Sequence, residues 1–109
     1  MKEFYYYLRD KQRAPRITVC IVENGGMYFR GVALASMMEK SVVKEKGRRL
    51  AFARALAAMT AGKSILPLRW HRNIVDVLTA LNMKERPFDF KGEWDHQLNN
   101  SEQKIVGYL

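Results

Sequence analysis

Two consecutive glycines constrain the fold of this chain more than any other feature of its sequence. Asn24-Gly25-Gly26 separates residues 16–23, which are rich in β-branched side chains, from residues 27–36, which alternate small and large ones. Glycine readily adopts the positive φ angles that a tight hairpin turn requires. The pattern therefore predicts a β-hairpin. The aromatic run at 4–9 and the polar connection that ends at Pro15 predict one further strand before it.

The segment 41–59 predicts a helix that packs on this sheet. Ser41 is a suitable N-cap, Gly62 is a suitable C-terminal stop, and no proline interrupts the span. One face of the second hairpin arm carries only small residues after Phe29, so it leaves room for an alanine-rich helix. Those small residues are Gly31, Ala33 and Ala35. A helical wheel places an apolar stripe on the helix at Val43, Leu50, Ala53 and Ala57, with Val42 and Leu56 beside it.

The charges of this helix stand at the unfavourable end. Lys44, Lys46, Arg48 and Arg49 occupy its first turns, where each exposed cation opposes the helix dipole by about 0.3–1 kcal/mol. A phosphate bound there would compensate, and the net charge of +8 also favours an acidic or phosphorylated partner. Arg49 projects from the edge of the apolar stripe and is expected to border a pocket, whereas Lys44 and Arg48 share a side that can remain solvated. A basic surface that only keeps the protein soluble stays open as the alternative.

The second half of the chain predicts another helix and an aromatic segment. Apolar residues recur at helical spacing over 73–83, and the stretch RPFDFKGEWDHQLNN at 86–100 alternates rings with polar groups. Such a mixture suits rings that stack on a base and amides that hydrogen-bond its edge, although a dimer surface uses the same residue types. Ser101 then caps a short C-terminal helix or strand.

These elements predict one α+β domain over residues 1–109, in which an antiparallel meander of three to four strands packs against two helices. The apolar share of 48% excludes disorder, and no apolar run approaches the roughly 20 residues of a membrane span. The N-terminus does not read as a signal peptide, which favours the cytosol. The single Cys20 lies in an apolar run and is expected to be a buried thiol.

Enzyme signatures are not evident in the sequence. Gly62-Lys63-Ser64 imitates the end of a phosphate-binding P-loop, but Ala57 occupies the position of the required glycine and a helix precedes the segment. His71 and His96 have no companions at metal-ligand spacing. We therefore expect a protein without catalytic activity, metal or cofactor.

Two resemblances suggest what the protein binds. Three strands followed by KEKGRRLAFARAL are similar to the second half of a double-stranded-RNA-binding domain, which implies a basic double-stranded nucleic-acid-binding module. Three segments in the same order resemble the first class of Thoeris anti-defence proteins of phages. They are YYYLRDKQRAPRITVCIVENGGMYFRGVALAS, GRRLAFARAL and RPFDF.

The second resemblance covers most of the chain and implies a specific function. Such proteins are compact α+β oligomers that sequester immune signals in the cytoplasm of the infected bacterial host. They bind, without cleaving it, a cyclic ADP-ribose isomer made by a Toll/interleukin-receptor-domain enzyme, and some relatives also trap cyclic oligonucleotides. A homodimer or higher homo-oligomer is expected, and no membrane is involved. The implied ligand-binding residues are Arg30, Arg48 and Arg49 for phosphates, Arg16 in reserve, Phe88 or Phe90 for a base, and Asn99 or Asn100 for polar edges.

Overall fold

The computed structural model describes residues 1–35, 44–65, 98 and 100–107, with the backbone alone for residues 100 and 101. Their elements are β1 (Lys2–Arg9), β2 (Pro15–Asn24), β3 (Met27–Leu34), α1 (Lys44–Ala61) and α2 (Asn100–Val106). The strands form one antiparallel sheet in the order β1-β2-β3. The predicted α+β class is confirmed, because the described residues form a three-stranded sheet and two helices. The helix predicted over 73–83 lies outside the described residues.

The glycine pair forms the predicted hairpin turn. Gly25 and Gly26 have φ angles of 59° and 77°, and Asn24 pairs with Met27 across the turn. Positive φ at both central residues is the pattern of a type I′ turn, whose twist matches that of the two strands. The local sequence is therefore sufficient to set the register of β2 against β3.

Helix α1 packs closely on one face of the sheet. Cys20, Val22 and Ala33 of the sheet form a buried cluster with Ala51 and Ala55 of the helix. The close approach predicted at Gly31 is confirmed, because a Cβ atom there would overlap the backbone of residues 51 and 55.

The apolar stripe predicted on α1 is wrong. The buried helix residues are Ala51, Ala55 and Ala58, whereas Leu50 is 42% exposed. Ala53 and Ala57 are also exposed, and residues 42 and 43 lie outside the described part. The wheel weighted residues by hydrophobicity, but contact with Gly31 demands the smallest side chains on the packed face.

The opposite face of the sheet carries a second core. Ile17, Val19 and Val32 pack there with Ile65, and Tyr6, Leu8 and Leu34 border them. Residues 16–22 of the central strand β2 are all buried, since both of its faces are covered.

The chain reaches this second face by passing the edge of β3. Gly62, with φ 69°, ends α1, and the amide of Lys63 donates to the carbonyl of Ala58 at 3.0 Å. This is the Schellman arrangement, and it confirms Gly62 as the predicted stop. The amide of Arg30 on β3 then donates to the Ser64 carbonyl at 2.7 Å. Within the described residues, no helix combines the length and hydropathy of a membrane-spanning segment.

Candidate phosphate-binding surface

The first turns of α1 lie over two tyrosines of β1. The ammonium of Lys44 is 4.6 Å from the ring centroid of Tyr7, and the guanidinium of Arg48 is 4.8 Å from that of Tyr5. The guanidinium of Arg9 also lies over Tyr7, at 5.6 Å. We call these five residues the tyrosine–cation cluster. It places one expected phosphate ligand, Arg48, and two further cations against flat aromatic rings.

The spacing of the two elements explains the match. Residues four apart in a helix are separated by about 6 Å along its axis, and residues two apart in a strand by about 6.6 Å. The spacing of Lys44 and Arg48 along α1 therefore matches the spacing of Tyr7 and Tyr5 along β1. The two cations share a side of α1, as predicted, and both are exposed. They nevertheless rest on the rings rather than extending only into water.

The Tyr5 phenol of the cluster is a neutral hydrogen-bonding group. Burial raises the pKa of the Tyr5 phenol above its ordinary value, and the neighbouring Cys20 raises it further. Cys20 is the cross-strand partner of Tyr5, and burial raises the pKa of its thiol to about 12. The Tyr5 phenol under Arg48 and the neighbouring Cys20 thiol are therefore not ionised at neutral pH.

Arg49 lies on a different side of α1. Its guanidinium donates to the Glu45 carboxylate at 2.6 Å, and the side chains are 78% and 71% exposed. Both residues line an open groove of about 660 Å³ with Lys46, Leu50 and Ala53. Arg49 therefore borders this open groove. A phosphate bound to it would have to compete with Glu45.

Arg30 lies on the opposite face of the sheet from α1. Its side chain is fully buried, and Nε and Nη2 donate to the two carboxylate oxygens of Glu102 at 2.9 and 2.8 Å. The Tyr6 hydroxyl donates to the same carboxylate at 3.1 Å. This two-bond ion pair holds α2 against the sheet, because Glu102 belongs to α2.

Arg16 has a similar structural role at the loop between β1 and β2. Its Nε donates to Asp10 at 2.9 Å, and the other Asp10 oxygen accepts from the amides of Gln12 and Ala14. The Arg16 guanidinium holds the pKa of Asp10 below its usual value. We omit Arg16 and Arg30 from the candidate surface, because the charge of each is neutralised within the chain.

Of the predicted ligand-binding residues, the structure places Arg48 and Arg49 at the start of α1 and keeps Arg16 and Arg30 away from it. Phe88, Phe90 and Asn99 lie outside the described residues, and Asn100 begins α2 with only its backbone described.

Sequence reasoning missed the part played by β1. Tyr5, Tyr7 and Arg9 alternate along one face of that strand, and Lys44 precedes Arg48 by one helical turn. Those two periodicities were visible in the sequence. Which helix side would meet which strand face was not, because that depends on the packing of α1 at Gly31.

Comparisons with known proteins add no assignment to this surface. Neither protein-family models nor curated proteins nor solved structures yield a match to the chain. In the described part of the chain, no three His, Cys, Asp or Glu side chains converge as a metal site would require. The charges and rings of the described residues are therefore what indicates a function.

Proposed function

We propose that this protein binds and sequesters a cyclic nucleotide signal, a cyclic ADP-ribose isomer or a cyclic oligonucleotide, without cleaving it. The observation that carries the proposal is the tyrosine–cation cluster. A nucleotide combines a phosphate with a flat base, and the cluster combines cations with flat rings.

The stacking of Arg48 on Tyr5 prepares the guanidinium for phosphate. Stacking uses the π face of the group, so the N–H donors remain in its plane and can form two parallel bonds to phosphate oxygens. Cation–π contact at an exposed site contributes about 0.5–1 kcal/mol, which holds the side chain in place before the ligand arrives. Lys44 supplies a second positive charge about one helical turn away.

The start of a helix strengthens the same site. The positive end of the α1 dipole lies where Lys44 and Arg48 stand, so an anion there interacts favourably with both the dipole and the side chains. Without an anion, these cations oppose the dipole. A bound phosphate therefore removes an unfavourable interaction as well as adding hydrogen bonds.

The mode of action is the part of the proposal that comes from the resemblance to Thoeris anti-defence proteins. A sequestering protein lowers the free signal by mass action, so its abundance and affinity replace turnover. Its place of action would be the cytoplasm of an infected bacterium. In the same proposal, Phe88 or Phe90 would stack on a base, and Asn99 or Asn100 would contact polar edges.

Calorimetric titration tests the proposal. The ligands are a cyclic ADP-ribose isomer, a cyclic trinucleotide and a short RNA duplex. Arg48→Ala should weaken binding of the cyclic nucleotide about 10- to 150-fold, which corresponds to about 1.5–3 kcal/mol for a charge-assisted bond. Lys63→Ala is the matched control, because Lys63 is an exposed cation outside the cluster. Equal affinity of the two variants would contradict the assignment.

Recovery of the bound nucleotide tests sequestration. Denaturation of the complex after prolonged incubation should release the nucleotide with unchanged mass and chromatographic retention. A converted product would show that the protein is an enzyme and would reject the proposed mode of action.

The double-stranded nucleic-acid module is the second candidate, favoured by the order of three strands and a helix with a basic start. It predicts that binding depends steeply on salt. Each phosphate contacted adds roughly 0.9 to the exponent with which the binding constant falls as the salt concentration rises. A cyclic nucleotide with one or two phosphates should show a much smaller slope. Heat from the RNA duplex alone, with a steep slope, would favour the second candidate.

A further inference from the structure

The loop between β1 and β2 holds an arginine in a disfavoured backbone conformation. Arg13 has a φ of 64°, and it is the one non-glycine residue with a positive φ among the described residues. A residue with a side chain adopts this left-handed conformation where its surroundings enforce it. Asp10 enforces it here. Its carbonyl accepts from the Arg13 amide at 2.9 Å, and its carboxylate accepts from two further amides at 2.9 Å. The loop is therefore a strained but well-bonded structure.

The strained residue fixes the position of Arg9. Nη1 of Arg9 donates to the Arg13 carbonyl at 2.9 Å, and the same guanidinium lies 5.6 Å from the ring centroid of Tyr7. The register of β1 against β2 also shifts between Leu8 and Arg9. Such an irregularity changes the direction of the side chains beside it. Arg9 is thus held between the loop and the ring.

This position of Arg9 is unfavourable for the protein alone. Lys44 lies over the same ring, with its ammonium 4.6 Å from the Tyr7 centroid, and the two positive groups repel each other. Arg16 and Arg30 are each paired with a carboxylate, whereas the hydrogen bond that the structure gives Arg9 goes to a carbonyl. An anion between Arg9 and Lys44 would replace this repulsion with attraction.

We propose that Arg9 is a third phosphate ligand of the tyrosine–cation cluster, and that the loop of residues 10–14 is the device that positions it. A guanidinium carries five N–H groups, so the bond to the Arg13 carbonyl orients the side chain and leaves donors for a phosphate. Arg9 and Lys44 would share one phosphate group beside Tyr7. The role of Arg9 as a ligand rests on the proposed function, whereas its positioning by the loop does not.

Calorimetric titration with inorganic pyrophosphate tests the role of Arg9 as a ligand. The titration is done at low ionic strength, because salt screens contacts between exposed charges. Arg9→Ala should weaken binding about tenfold or more, as expected for the loss of a charge-assisted bond. Lys11→Ala is the matched control, because it removes an exposed cation two residues further along the chain, and it should bind like the wild type. An equal loss in both variants would overturn the assignment.

Substitutions at Arg13 test the positioning, because they change the backbone and leave Arg9 in place. Arg13→Gly removes the side chain and keeps the positive φ, so it should bind pyrophosphate like the wild type. Arg13→Pro fixes φ at about −65°, so that the carbonyl no longer meets Arg9. It should weaken binding toward the level of Arg9→Ala. The double variant R9A/R13P should bind no more weakly than Arg9→Ala, since both changes remove the same interaction.

Circular dichroism checks that each variant is folded. Should Arg13→Pro fail to fold, Arg13→Val takes its place, because a β-branched residue resists positive φ. Wild-type affinity in Arg9→Ala would overturn the ligand role, and wild-type affinity in the folded Arg13→Pro or Arg13→Val variant would overturn the positioning. Pyrophosphate binding through Arg9 without binding of a cyclic nucleotide rejects the proposed function alone. Cyclic-nucleotide binding that Arg9→Ala leaves unchanged rejects the role of Arg9 alone.

Discussion

The buried ion pair between Arg30 and Glu102 gives the sharpest test of how this fold is held together. Both side chains are fully buried, and two hydrogen bonds of 2.8 and 2.9 Å join them. The substitution Glu102→Gln keeps the shape of the side chain and removes its charge. The guanidinium of Arg30 would then remain buried and lose both of its bonds to the Glu102 carboxylate.

The expected loss is large compared with the total stability. Removing one partner of a buried pair costs about 3–5 kcal/mol, because the remaining charge is uncompensated. A chain of 109 residues has a free energy of unfolding of about 5–16 kcal/mol. Glu102→Gln should therefore remove about a fifth of the stability or more. The Tyr6 hydroxyl, 3.1 Å from the carboxylate, would lose a charged acceptor in addition.

Urea unfolding followed by circular dichroism measures the effect. Glu45→Gln is the matched control, because it breaks the exposed Arg49–Glu45 pair and should change the stability by at most about 0.5 kcal/mol. The double variant Arg30→Met/Glu102→Leu should be more stable than Glu102→Gln, since it removes both charges from the core.

Two outcomes would refute the reasoning. One is a loss below about 1 kcal/mol for Glu102→Gln, no larger than that of an exposed pair. The other is a double variant that is less stable than the single one. Limited proteolysis within residues 98–107 distinguishes local release of α2 from global unfolding, because only local release exposes that segment while the sheet stays folded.

Three further predictions concern the packing and the loop. Gly31→Ala should cost about 3 kcal/mol in urea unfolding, because the new Cβ meets helix backbone. Gly47→Ala should cost less, because its Cβ meets only the Thr18 side chain, with Oγ1 at 2.7 Å and Cβ at 3.4 Å, and Ala favours the helix over Gly. Since Arg16 lowers the pKa of Asp10, the stability from this pair is present at neutral pH and is lost as the pH falls below about 4. Asp10→Asn should therefore be less stable at pH 7 and show a flatter acid dependence. Cys20 should resist iodoacetamide at pH 8 until urea unfolds the protein, because burial raises its pKa to about 12, and modification of the folded protein would contradict this.

Local sequence signals predicted the backbone well. The glycine pair at 25 and 26, the alternation in β3 and the stop at Gly62 each depend on the conformational preferences of a few neighbouring residues. Those preferences act wherever the segment lies in the fold. The close approach at Gly31 was also predictable from the sequence. The space that a missing side chain leaves is filled only when another element packs close to the backbone.

The site was less predictable, because charge partners are set by packing. Arg30 is one arginine among several in the sequence, yet it is buried against Glu102, 72 residues away. The carboxylate comes from a separate helix, and no periodicity in β3 indicates it. The stripe of Leu50 and Ala53 was misjudged for the same reason. The hydrophobic pattern alone did not show that contact with Gly31 requires alanines on the packed face of α1.

The sequence by itself determined the meander, its turn, the helix with cations at its start and the excess of positive charge. The tertiary structure decided what those cations meet. The close approach of α1 at Gly31 fixes the rotation of the helix, so that Lys44 and Arg48 lie over Tyr7 and Tyr5 while Arg49 faces an open groove. A helix turned by one residue position, about 100°, would present different cations to β1.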